Sequence, residues 1–328
     1  MRILFITRKY PPSIGGMETF SYGFSQALGA DCTVLNVKAK PWAILQCFWM
    51  AKQYDVIHLG DGVLAGLGVL LKWWSRKPVT VTIHGLDVTY RRFGYQRYIR
   101  WCLPKLSAVC CVSQATATVT PVPSTVIPNG ITIADWPVNS ELGKNRCLLF
   151  VGRLVERKGC AWFLEQVLPK LDKAIHFHIV GTGPELERCQ LLVERLKLKD
   201  RVRFHGIVSS ANLAKHYCNA QALVMPNIAV PHNMEGLGMV ALEAGACGLP
   251  VVAADLEGMK DVVIDGTTGL LVESGNVTAW IKAIQHSMDT MNQPFSASVI
   301  RQTVADRFDW HTVKQHYLDL FYGLSSNQ

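Results

Sequence analysis

The sequence predicts an α/β protein of two doubly wound, Rossmann-like domains facing a central cleft, and three observations carry that prediction. Short β-rich runs alternate with helical runs along the whole chain. The alternation restarts after a polar, proline-bearing stretch, DWPVNSELGKNR, at 135–146. Several β-rich runs end in glycine-bearing turns that open onto a helix, which places a ligand at the carboxyl ends of the strands. With 328 residues, 49% hydrophobic and 18% charged, the chain is long and apolar enough for two cores. The expected domains are 1–138 and 139–307.

In the first half, strands are expected at RILFIT (2–7), DCTVLNV (31–37), DVIHL (55–59), VTVTIH (79–84), AVCCVS (108–113) and STVIPNG (124–130). Helices are expected between them at 17–29, 41–53, 62–75 and 91–106. The second series runs CLLFVG (147–152), HFHIVG (176–181), VRFHG (202–206), ALVMP (222–226), LPVVAA (249–254) and GLLVES (269–274), each followed by a helix. The segment FDWHTVKQHYLDLFYGL (308–324) has helical periodicity, with Val313, His316, Tyr317 and Leu320 on one face.

No apolar run reaches the roughly 18–20 residues that a spanning helix needs. The opening MRILFITRKYPP reads as a strand rather than a signal peptide, so the expected location is cytoplasmic. The ten cysteines are scattered, with no C-x-x-C pair and no His/Cys cluster at zinc spacing; core positions are expected for them, and no metal site. The net charge of +8 lies entirely in residues 1–145, which hold 15 Lys/Arg against 7 Asp/Glu, while the rest holds 18 of each. Such one-sidedness suits a polyanion or an anionic membrane surface.

The strongest chemical signal is NMEGLGMVALEAGACGLPVVAAD (233–255). Glu235 lies in a glycine-bearing loop, and a helix containing Glu243 follows. The backbone N–H groups around Gly236, Leu237, Gly238 and Met239 would form an anion site at the helix start. The two carboxylates, eight residues apart, could be separated by up to about 12 Å. That span suits a diphosphate between two hydroxyl-bearing sugars. In FVGRLVERKG (150–159), Arg153 and Lys158 flank a strand-to-helix loop, where two cations would neutralise a diphosphate. HIVGTGPELE (178–187) places Gly181 and Gly183 in a turn of low specificity that would line the nucleotide. In the first half, Gly15 and Gly16 lie between the first strand and first helix, and His84 ends a strand with Asp87 nearby.

Taken in order, YPPSIGGMET, HGLDV, CVSQAT, VIPNGI, VGRLVERKG, IVGTGPE, VRFHG, EGLGMVALEAGACGLPVVA and DGTTGLLV resemble glycosyltransferase family 4, retaining enzymes of the GT-B fold. The resemblance implies that Arg153 and Lys158 bind the donor diphosphate and that Glu243 holds the ribose hydroxyls. It implies that Glu235 contacts the transferred sugar, with the backbone at Gly236 and Leu237 holding sugar and phosphate. Gly15 and Gly16 would lie over the diphosphate, His84 would face the reacting sugar, and the C-terminal helix (within 308–328) would return to the first domain. The donor would be a UDP- or GDP-sugar. No cofactor is expected, and because no Asp-x-Asp occurs, a metal bridge to the diphosphate is not expected either.

The acceptor should lie against the basic first domain. KWWSRK (72–77) and YRRFGYQRYIRWCLPK (90–105) mix basic and aromatic residues, among them Trp73, Trp74, Arg76, Lys77, Arg91, Arg92, Arg97 and Arg100. On one continuous helix Arg92, Gln96 and Arg100 would align, as in an interfacial surface for anionic lipid. The expectation is peripheral association with the inner membrane face and a lipid-linked saccharide acceptor in cell-surface polysaccharide assembly. Rival readings are an epimerase or hydrolase of the same fold, a catalytically silent paralogue, and a basic-surface nucleic-acid-binding protein. The last has no reading motif, and nucleic acid is not an expected partner.

Overall fold

The computed structural model describes residues 1–13, 15–38, 42–138, 146–289 and 295–326. The chain divides into two compact units. The first comprises Met1–Thr132, His232–Leu237 and Phe308–Gln328, and the second Ile133–Pro231 and Gly238–Arg307. Most of the expected 135–146 linker, residues 139–145, lies outside the described residues, including the position where the second domain is expected to begin.

The first unit runs β1 (Ile3–Thr7), α1 (Gly16–Leu28), β2 (Cys32–Asn36), α2 (Ala43–Ala51), β3 (Val56–Leu59), α3 (Ala65–Ser75), β4 (Val79–Ile83), α4 (Leu86–Thr89), α5 (Tyr95–Cys102), β5 (Ala108–Cys111), α6 (Gln114–Val119) and β6 (Thr125–Val126). Its sheet is parallel in the order β2-β1-β3-β4-β5-β6. The order reverses between β1 and β3, and at such a switch point the loops diverge and leave a crevice.

The second unit continues with β7 (Cys147–Val151), α7 (Cys160–Trp162), β8 (His176–Val180), α8 (Leu186–Arg195), β9 (Val202–Gly206), α9 (Ser210–Asn219) and β10 (Ala222–Met225). Then come α10 (Met239–Ala246), β11 (Val251–Ala254), α11 (Met259–Val262), β12 (Gly269–Val272), α12 (Val277–Ser287) and α13 (Ala297–Phe308). Its parallel sheet has the order β12-β11-β10-β7-β8-β9, with the switch point between β7 and β10. Among the described residues, all twelve strands fall inside the runs expected from the sequence.

The last helix, α14 (Trp310–Ser325), belongs to the first unit. Trp310, Val313, Tyr317 and Phe321 are its buried stripe, joining Phe5, Phe20 and Phe24 in one cluster. His316 is exposed and Leu320 half-buried, so the expected face is correct at Val313 and Tyr317 but turned by one position elsewhere. The 3.6-residue repeat places 310, 313, 317 and 321 on one line, and the bulk of Trp310 and Phe321 decides which line is buried. His58 is fully buried in the same core, bonded to Thr80 Oγ1 (2.8 Å) and Thr82 Oγ1 (3.0 Å). Burial lowers its pKa to about 3, so it stays neutral.

The expected helix 91–106 breaks up. Arg91 and Arg92 lie outside any helix, and Gly94, with φ +76°, is the left-handed cap from which α5 starts. Arg92 therefore does not align helically with Gln96 and Arg100. All ten cysteines are free and buried or half-buried.

Candidate active site

In the second unit, the loops that leave β7 and β8 are laced together. Gly152 N–H donates to the Val180 carbonyl (3.0 Å), Leu154 N–H to Thr182 (2.9 Å) and Glu185 N–H to Leu154 (3.1 Å). Gly183 lies so close to Leu154 that a Cβ there would overlap its backbone, which is reason enough for a glycine. This lacing presents Arg153 to solvent, whereas Lys158, ending the turn Glu156–Lys158, is only 8% exposed. Lys158 is therefore not an ordinary solvated surface lysine.

Glu243 sits on the second turn of α10, half-buried, and accepts a hydrogen bond from Tyr217 Oη at 2.8 Å. Tyr217, on α9, is fully buried and meets Trp136 edge to face at 5.6 Å. Withdrawal from water pushes the Glu243 pKa up, while the Tyr217 hydrogen bond and the Lys158 charge pull against that rise. Lys158 and Glu243 are thus electrostatic neighbours, although they lie far apart in sequence. Only residues from Met239 onward are helical, so the two glutamates do not share a helix axis. The positive end of the α10 dipole lies at Gly238, whose φ of +84° turns the loop into the helix.

In the first unit, His84 follows β4. Its Nε2 lies 3.0 Å from the Gly60 carbonyl, which only accepts, so Nε2–H donates that bond and Nδ1 is left to face elsewhere. Its backbone N–H donates to Asp87 Oδ1 (2.9 Å), and the same carboxylate accepts from Gly62 N–H (3.0 Å). Phe20 packs edge-on against the ring at 4.9 Å. The loop carrying Glu235 packs here too: a Cβ on Gly236 would overlap the His84 carbonyl, and one on Gly85 would lie 3.1 Å from Met234. The glycine at 236 is thus required by the chain's own backbone, whatever the loop binds. Gly15 caps α1 and Gly16 begins it. The first turn there already holds a buried carboxylate, Glu18, paired with Lys9 at 3.2 Å.

The structure therefore brings together Lys158 with Glu243 in one unit, and His84 with the Glu235–Leu237 loop in the other. Sequence reasoning missed Tyr217, which holds Glu243 but is an unmarked helical tyrosine in HYCNAQ. It also missed Asn227 just beyond β10, buried with an Oδ1 that has no partner among the described residues. Trp73 and Trp74 are exposed, as are Arg76, Arg91, Arg92, Arg97 and Arg100, while Lys77 is half-buried. Further apolar residues stand out in solvent at α2: Ile44, Leu45 and Trp49 on the helix and Trp42 just before it. Among the described residues no helix is long and apolar enough to cross a membrane.

Residues 36–135 match the family model described as Glycosyltransferase Family 4, and residues 145–290 the model described as Glycosyl transferases group 1. The chain is 32% identical to a GDP-mannose-dependent alpha-(1-6)-phosphatidylinositol monomannoside mannosyltransferase of Mycolicibacterium smegmatis, over 56% of this chain and 49% of that protein. The aligned part thus spans about half the length of that relative. An uncharacterized glycosyltransferase of Methanocaldococcus jannaschii is 22% identical over 98% of both chains. The structure of Anabaena HepE in complex with UDP and glucose is similar with a TM-score of 0.81 and 21% identity, over 98% of this chain and 100% of that one. At that identity the likeness establishes the fold, which is GT-B. With motifs, fold and both family models in agreement, the chain belongs to glycosyltransferase family 4.

Proposed function

We propose that the protein is a retaining glycosyltransferase that moves a hexosyl unit from a UDP- or GDP-sugar to a hydroxyl of a lipid-linked saccharide at an anionic membrane surface. The observation that carries this reading is the grouping of a buried cation, Lys158, with a tyrosine-held carboxylate, Glu243, beside the β7/β10 switch point. A carboxylate with one oxygen engaged by Tyr217 keeps the other for the vicinal hydroxyls of a ribose. Breaking the sugar–phosphate bond builds negative charge on the diphosphate. Arg153, Lys158 and the positive end of α10 supply fixed potential for it without a metal bridge. Glu235 and His84 would face the transferred sugar, and Gly15, Gly16, Gly181 and Gly183 would line the donor. Two relatives support the donor classes, one a GDP-mannose-dependent mannosyltransferase and one solved in complex with UDP and glucose. The first of these acts on a phosphatidylinositol monomannoside, which supports a lipid acceptor.

The test is a thermal-shift screen of the protein against uridine, guanosine, adenosine and thymidine diphosphates and their sugars, in EDTA. One nucleotide should raise Tm, and Glu243→Ala should abolish the rise. Arg153→Ala and Lys158→Ala should each lower kcat by about 10²–10³-fold, the usual loss when one preorganised donor to a developing anion is removed. Turnover near wild type in both variants would refute this account of the leaving group.

A further inference from the structure

Outside the candidate active site, three histidines from separate elements of the second unit converge. His178 lies on β8, His205 on β9 and His216 on α9. Their ring centroids are 4.9 Å apart for 178–205, 4.3 Å for 205–216 and 6.4 Å for 178–216. One ring nitrogen from each can be chosen so that all three lie within 4.8 Å of one another. Local irregularity builds the cluster. The β8–β9 ladder pairs Ile179 with Phe204 and Val180 with Gly206, so His205 is the extra residue of a bulge, a device that re-aims a side chain. Its Nε2 is buried yet has no hydrogen-bond partner among the described residues, a cost that native structures rarely leave unpaid. The rings themselves are half-buried, which leaves a way in from solvent.

We propose that His178, His205 and His216 form a binding site for one divalent transition-metal ion of the zinc class, with water in the fourth position. A tetrahedral zinc with imidazole bonds of 2.0–2.1 Å needs nitrogens about 3.4 Å apart, so side-chain rotation of about an ångström closes the site. The chemistry of the set agrees. Burial, then the neighbouring imidazoles, pushes His178 down to about 4, and burial lowers His205 and His216 as well, so all three offer neutral lone pairs at pH 7. Arg203, whose positive charge also lowers His178, has its guanidinium engaged by the Lys199 carbonyl (2.7 Å). The ion would pin the edge strand β9 and its bulge to β8 and α9. None of its ligands belongs to the donor machinery, so this site and the proposed transferase activity stand or fall separately.

The experiment is a titration of the EDTA-stripped, full-length protein with cobalt(II) alone, followed in the visible spectrum. The expected result is one equivalent bound with the intense d–d bands of a tetrahedral nitrogen/oxygen site, displaced by zinc, together with a rise in Tm. His205→Ala and His216→Ala, checked for native circular dichroism, should each bind at least tenfold more weakly and lose the Tm rise. No saturable uptake, unchanged affinity in both variants, or the charge-transfer bands of thiolate ligation would each overturn the proposal.

Discussion

With one oxygen of Glu243 taken by the Tyr217 hydroxyl at 2.8 Å, the remaining oxygen must be ionised if it is to accept from a ribose. Its pKa is raised above the 4.5 of an ordinary glutamate, chiefly by withdrawal from water. Nucleotide affinity should therefore be complete above that raised value and fall as pH drops through it, starting at less acidic pH than for an exposed glutamate. Tyr217→Phe removes an interaction that lowers the pKa, so its loss of affinity should begin at still higher pH. Glu243→Gln should bind weakly at every pH. Calorimetric titration of the nucleoside diphosphate from pH 4.5 to 8 decides the matter, and a wild-type profile matching that of Glu243→Gln would rule the role out. For stability the sign is the reverse of a salt-bridged carboxylate. The folded state holds this proton more tightly than the unfolded chain, so the group opposes folding as pH rises through the window.

At the scale of elements, α14 is tied to the first unit by a close fit of indole on glycine. The Trp310 ring fills the space where a Cβ of Gly23, on α1, or of Gly130 would lie. Gly23→Ala should lower stability by about 1–3 kcal/mol through overpacking. Trp310→Phe in the same chain should recover part of the loss, so urea melts of the two single variants and the double should be non-additive. Strict additivity would mean the ring and the glycine do not press on each other. Elements of this kind were largely legible in the sequence, because strand alternation and flanking glycines report local chemistry. The α5 region was not: YRRFGYQRYIRW has the composition of one helix, yet Gly94 takes a left-handed conformation that composition alone does not announce. Nor was the histidine cluster, since 178, 205 and 216 share no motif spacing and meet only through sheet register and a bulge.

For the molecule as a whole, the uneven charge has a structural counterpart in the first unit. Trp73 is 79% exposed, Trp49 73% and Trp101 59%, on the helices α3, α2 and α5, and Arg97 and Arg100 are exposed on α5. The helices are neighbours: Trp74 Nε1 donates to the Phe48 carbonyl of α2 (3.0 Å), and Tyr98 Oη of α5 accepts from Gly66 N–H of α3 (2.7 Å). Exposed tryptophans among arginines suit the interface of an anionic bilayer. The protein should co-sediment with vesicles containing phosphatidylglycerol but not with pure phosphatidylcholine. A Trp49→Ala/Trp73→Ala double variant should lose most of that binding and keep its nucleotide-induced Tm rise. Equal binding to both vesicle types would argue against an anionic-surface role. The basic half of this surface was readable from charge counting, whereas the contribution of α2 was not, because Trp42, Leu45 and Trp49 carry no charge and only the fold shows that they stand in solvent. The discontinuous first unit also has a consequence for the order in which the chain is made. Phe5, Phe20 and Phe24 leave the ribosome early, but Trp310, Val313, Tyr317 and Phe321 follow only after the whole second unit. At ordinary elongation rates the gap is about 15–60 s. The unit begun first is the last to be finished, so its open core is what a nascent-chain chaperone would meet.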